Sequence, residues 1–75
     1  MKVKYMREID AKETSTQGKH SYLVALRTGG VMEDPVIDYC NFQVIWADTA
    51  EEAREKYNKI NNCSYYYGQV MEQIS

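Results

Sequence analysis

The chain has 75 residues and a mass of 8.8 kDa. That is room for one small domain and one core, but not for a cofactor domain or a two-lobed crevice. Net charge is −2 with a sequence pI near 5.3, which argues against a general nucleic-acid coat; residues 1–30 hold net +3 and residues 31–75 net −5, a field able to steer a charged partner.

Residues 2–9 alternate, with Val3, Tyr5 and Ile9 set against Lys2, Lys4 and Glu8, which predicts one half-buried strand. Residues 10–19 offer only Ala11 for burial and are expected to form a loop or hairpin tip. Residues 20–27 put Tyr22, Val24 and Leu26 on one face and Leu23 and Ala25 on the other, the pattern of a central strand. Thr28-Gly29-Gly30 is expected to break it, and Glu33-Asp34-Pro35 to extend the loop, since Pro35 disfavours helix at Asp34. Residues 36–46 predict a third strand. Asp38, Cys40, Phe42, Val44 and Trp46 form its core-like face; Ile37, Tyr39, Asn41, Gln43 and Ile45 form a mixed, partly wet face.

A helix follows. Thr49 and Glu52 make a capping box, Asp48 is a competing cap, and Glu52–Lys56 and Glu55–Lys59 are favourable i,i+4 pairs. Its apolar stripe is Ala50, Ala53, Tyr57 and Ile60, and Asn61-Asn62 ends it because Asn tolerates left-handed backbone. Residues 64–74 return as a strand, with Tyr66, Val70 and Ile74 on one face and Tyr65, Tyr67 and Met71 on the other; Gly68 marks a bulge or a close approach. The expectation is a single α+β domain over residues 1–75, in the order β-β-β-α-β. It has a three- or four-stranded, mostly antiparallel sheet with one helix on one face and the other face open.

No run of 18 apolar residues is present, and the N-terminus lacks the apolar stretch and cleavage site of a signal peptide, so a cytoplasmic chain is expected. Cys40 and Cys63 then read as reduced core thiols, and Asn62-Cys63-Ser64 as a chance match to the glycosylation sequon. His20 with either cysteine, or His20, Cys40, Cys63 and Asp38 around zinc, has nothing in its favour but residue types. A non-enzymatic chain is expected, with no catalytic residue, metal or cofactor. Arg27-Thr28-Gly29-Gly30 is a candidate anion nest, without the Gly-Lys-Ser/Thr ending or the following helix of a P-loop.

Seven tyrosines stand against one Phe and one Trp. Tyr22 and Tyr57 have places in the core and Tyr5 joins them; Tyr39, Tyr65 and Tyr67 do not fit that side. Tyr65, Tyr66 and Tyr67 are consecutive, so a strand cannot turn all three inward. Tyrosine supplies rigid contact area with a polar tip. The first expectation is therefore a protein partner met by Tyr39, Tyr65 and Tyr67, with Glu33 and Asp34 steering towards basic patches. A rival is a nucleotide or oligonucleotide binder using Arg27, Gly29, Gly30, Tyr65 and Tyr67. A third is a homo-oligomer or homodimer formed through the open face and sheet edges.

The segment from Asn41 to Ile74, with a strand, the helix ADTAEEAREKY, Asn61-Asn62 and a Tyr-rich strand, resembles small proteins encoded by phages and mobile elements. The resemblance covers under half of the chain and carries over no functional residue. It implies a stoichiometric inhibitor of host or defence machinery, of the anti-CRISPR kind, acting by surface occlusion in the host cytoplasm.

Overall fold

The computed structural model describes residues 2–5, 7–31, 34–62 and 68–75. In chain order its elements are β1 (Lys2–Tyr5), β2 (Arg7–Asp10), β3 (Lys12–Ser15), β4 (His20–Val31), β5 (Asp34–Ala47), α1 (Ala50–Ile60) and β6 (Gly68–Gln73). The fold is α+β: a β1-β2 hairpin and a four-stranded sheet ordered β3-β5-β4-β6. Strand β4 pairs antiparallel with both β5 and β6, whereas β3 runs parallel to β5.

The first expected strand is in fact this hairpin. It reverses between Tyr5 and Arg7, where no Gly, Pro or Asn marks a turn, and brings Val3 opposite Ile9. The expected loop over 10–19 contains β3, whose polar residues suit an edge strand. The hairpin also corrects the open face. Val3, Ile9 and Ala11 pack on Leu23 and Val44, with Tyr5, Phe42, Trp46, Met71 and Ile74 around them. Both faces of the sheet are therefore covered, one by α1 and the other by the hairpin.

On the helix side Tyr22, Val24, Ile45 and Ala47 meet Ala53 and Tyr57, bordered by Leu26 and Val70. Thr49 caps the helix, its Oγ1 accepting from the Glu52 N–H at 3.2 Å, while Glu52 Oε2 reaches one residue beyond the cap and accepts from the Asp48 N–H at 3.1 Å. Asp48 is not the cap; its carboxylate takes the Lys19 N–H at 3.1 Å. Lys56 pairs with Glu52 at 3.3 Å and donates to the carbonyls of Gln17 (2.7 Å) and Trp46 (3.0 Å). The chain crossing from β3 to β4 is thus tied to both ends of the turn into the helix. Gly18 lies in this crossing at φ +153°, where a Cβ would overlap the backbone of Ala47.

The helix stripe is narrower than expected. Ala53 and Tyr57 are fully buried, Ala50 and Ile60 are exposed, and Asn58 is buried instead. Asn58 Oδ1 accepts from the Gly68 N–H at 2.9 Å, so the helix approaches β6 through a polar contact. Gly68 is accordingly a close-approach glycine; a Cβ there would strike Asn58 Oδ1 and lie 2.7 Å from Tyr57 Cδ1.

The alternation expected of the third strand breaks inside β5. Val24 pairs with Gln43 but Leu26 pairs with Cys40, so β5 holds one extra residue there, and Asn41 takes φ +53°. Gln43 and Ile45, expected on the mixed, partly wet face, pair with Val24 and Tyr22 and face the helix, while Phe42, Val44 and Trp46 face the hairpin. Cys40 does not share the Phe42 face, and it is exposed rather than a core thiol. Gly68→Ala tests the helix–β6 contact. Relief of glycine's backbone entropy alone would favour the variant, but the clash should destabilise it by about 1–3 kcal/mol in urea unfolding followed by Trp46 fluorescence.

Candidate functional site

The bulge at Asn41 is held by a carboxamide network. Tyr57 Oη donates to the Asn41 carbonyl at 2.8 Å. Gln43, only 6% exposed, donates to Asn61 Oδ1 at 2.9 Å and Asn41 Oδ1 at 3.2 Å, and accepts from Asn61 Nδ2 (3.1 Å) and Thr14 Oγ1 (3.0 Å). Asn61 Nδ2 also donates to the Tyr57 carbonyl at 2.9 Å, and Asn41 Nδ2 to Asn61 Oδ1 at 3.1 Å. Buried amides need such mutual satisfaction. The network joins β3, β5 and the C-terminal end of α1 at one level of the sheet.

At that level the packed body stops. Pairing of β3 with β5 begins at Lys12↔Gln43, and pairing of β6 with β4 begins at Leu26↔Gly68. Beyond it, among the described residues, β4 and β5 pair only with each other, through Arg27↔Tyr39, Thr28↔Asp38, Gly29↔Ile37 and Val31↔Asp34. These 12- and 14-residue strands thus leave the body as a two-stranded ribbon, roughly 15–20 Å long at about 3.4 Å per residue. The chain measures 40 × 26 × 16 Å.

The ribbon collects candidates from both rival readings. Asp34 and Tyr39 from the protein-binding set, and Arg27, Gly29 and Gly30 from the nucleotide-binding set, all lie on it. Glu33, Tyr65 and Tyr67 lie outside the described residues, as does Cys63. Arg27 and Tyr39 face each other across the ladder at its base, both half-buried. The ribbon corrects the loop expected at Thr28-Gly29-Gly30 and at Asp34-Pro35: β4 runs through the glycines and β5 begins at Asp34. Gly29 pairs with Ile37 in the ladder, and the register shifts between Gly29 and Val31.

Residues 27–40 carry Arg27 against Glu33, Asp34 and Asp38, which is net −2. That equals the charge of the whole chain, so the remaining residues balance to zero. The sequence signal missed here is the β-branched content at Val31, Val36 and Ile37, which outweighs Gly29, Gly30 and Pro35 as strand breakers.

His20 sits at the opposite end of β4, paired with Ala47, its Nδ1 3.2 Å from the Ser75 carbonyl oxygen and 3.3 Å from Gln73 Nε2. Leu26, the partner of Cys40, is roughly 20 Å further along the strand, so His20 and Cys40 cannot act together. Among the described residues no three His, Cys, Asp or Glu side chains are grouped to hold a metal ion. No helix among them is long and apolar enough to cross a membrane.

Comparison with protein-family profiles, with curated proteins and with solved structures finds no match to this chain. Two substitutions separate the bulge backbone from its side-chain network. Asn41→Ala should cost about 1–3 kcal/mol in urea unfolding, combining lost amide bonds with left-handed strain, and Asn41→Gly should recover about 1 kcal/mol of that.

Proposed function

We propose that the chain is a non-catalytic protein-binding module that uses the β4–β5 ribbon to occlude a basic surface on its partner. The observation that carries this reading is the division of the molecule. The body has both sheet faces covered, while the sequence from 27 to 40, which the projecting ribbon spans, carries the whole net charge of −2 and the rest of the chain balances to zero. Acidic charge on a projecting element favours encounter with a basic partner and fixes orientation. Tyr39 and Arg27 at the ribbon's base are residue types enriched at interface anchors. The resemblance of the strand–helix–strand half to phage-encoded proteins supports a host or defence complex as that partner, with the host cytoplasm as the place of action. Nucleotide binding is less favoured, because Gly29 is paired with Ile37 within a strand rather than in a turn that gathers amides.

The test is stoichiometric capture from bacterial host cells by the tagged chain, with and without ribbon substitutions. Asp34→Asn with Asp38→Asn should weaken association by about tenfold and reduce its sensitivity to salt. Tyr39→Ala should weaken it as well, whereas Lys2→Ala and Glu8→Ala, which remove an exposed ion pair of the hairpin, should leave it unchanged. Equal capture by the ribbon variants, or a response of Trp46 fluorescence to mononucleotides instead, would contradict the reading.

A further inference from the structure

Where β4 and β5 leave the body, both strands are held by the same end of the helix. On β5, the Asn41 carbonyl accepts from Tyr57 Oη at 2.8 Å, and Asn41 Nδ2 donates to Asn61 Oδ1 at 3.1 Å. On β4, Leu26 is the last described residue with a strand partner on each side, Gly68 and Cys40. Gly68 in turn donates its N–H to Asn58 Oδ1 at 2.9 Å, and its backbone closely approaches the Tyr57 ring. Tyr57 and Asn58 belong to the last turn of α1, and Asn61 is its C-cap. One helix end therefore holds the root of each strand, directly for β5 and through β6 for β4.

This hold falls where the ribbon's direction is decided. Beyond it, among the described residues, each ribbon strand has only the other as a neighbour. A bulge bends its strand and increases the local twist, so the step at Asn41 aims everything N-terminal to it in β5. The register shift between Val24 and Leu26 spans the same step on β4. A left-handed φ at a non-glycine residue persists only where its surroundings over-determine it. Without the bonds from Tyr57 and Asn61, Asn41 is free to relax towards ordinary extended backbone. The ladder bonds within the ribbon are untouched by that change, so the ribbon turns as a unit. A few residues that absorb a backbone rotation between two intact parts make a hinge.

We propose that the last turn of α1 is a clamp that sets the direction of the β4–β5 ribbon, with the Tyr57 hydroxyl as its latch. Opening the clamp lets the ribbon pivot at Leu26 and Asn41 while the body stays folded. Tyr57 suits the role because its two ends act in different places. The ring is fully buried in the helix-side core with Val24, Ile45 and Ala53, whereas the hydroxyl reaches out to the bulge. The clamp does not require the ribbon to bind any partner.

Double electron–electron resonance tests it on the full chain. Nitroxides are placed at Glu55→Cys on α1 and Asp34→Cys at the far end of the ribbon, with Cys40→Ser and Cys63→Ser removing the native thiols. The parent should give one narrow distance distribution. Tyr57→Phe, which keeps the ring, and Asn61→Ala should each broaden it about twofold while unfolding cooperatively by Trp46 fluorescence. Thr49→Ala, which loosens α1 at its other end by removing the cap, should leave the distribution narrow. An unchanged distribution in both Tyr57→Phe and Asn61→Ala would overturn the clamp. So would a parent distribution that is already broad, or equal broadening by Thr49→Ala. Loss of cooperative unfolding in Tyr57→Phe and Asn61→Ala would overturn it too, by assigning these groups to the stability of the body. A ribbon that stays fixed in both variants and still captures the basic partner would overturn the clamp and leave the binding reading standing.

Discussion

Asn41 holds a left-handed φ of +53° in the middle of a long strand, and the two parts of β5 on either side of it serve different ends. On the C-terminal side, β5 is the centre of the body, flanked by β3 and β4 and covered by α1 and the hairpin. On the N-terminal side it is half of a ribbon. Left-handed backbone costs a non-glycine residue roughly 1–2 kcal/mol, and Asn is the residue that tolerates it best. The surrounding hydrogen bonds supply the rest: the Asn41 carbonyl is held by Tyr57 Oη and its amide by Gln43 and Asn61. Gln43, opposite Val24 where the regular register ends, sits under the end of the helix and bonds to Asn61.

A chain of this length has few large apolar side chains to distribute over three layers. It fills them with amphipathic residues whose polar ends are bonded. Tyr57 is fully buried yet places its hydroxyl on the Asn41 carbonyl; Gln43 and Asn58 are buried with their amides satisfied by Asn61 and Gly68. The excess of Tyr over Phe thus has a structural share, at Tyr22 and Tyr57 with Tyr5 half-buried beside them. Tyr39 falls outside that share, at the foot of the ribbon.

Much of the helix is legible in the sequence. Its cap, its Glu52–Lys56 pair and its Asn ending all rest on local chemistry that operates within one or two turns. The same holds for β4, where Tyr22, Val24 and Leu26 separate from Leu23 by simple alternation. What escapes is non-local or broken in period. The reversal between Tyr5 and Arg7 has no turn residue to announce it. The Lys12–Ser15 strand is polar because it is an edge, and it is a strand only because Gln43, Val44 and Ile45 lie beside it. The inserted residue at Asn41 breaks the alternation of β5, so that Cys40 and Phe42 do not share a face. The ribbon looks like loop in the sequence because Gly29, Gly30 and Pro35 are local breakers, whereas strand pairing is a property of two segments together. Arg27, Asp34 and Tyr39 stand out one by one for charge and aromatic character, but nothing local says that they share one element.

A closed body bearing an acidic ribbon is a division of labour that a single shortened variant can test. Replacing residues 28–38 by Asn-Gly joins Arg27 to Tyr39 through a two-residue hairpin turn and removes the ribbon alone. The shortened chain should unfold cooperatively with the body's Trp46 signal intact and should no longer capture the partner. A shortened chain that fails to fold, or one that folds and still captures the partner at full strength, would contradict the assignment of stability to the body and binding to the ribbon.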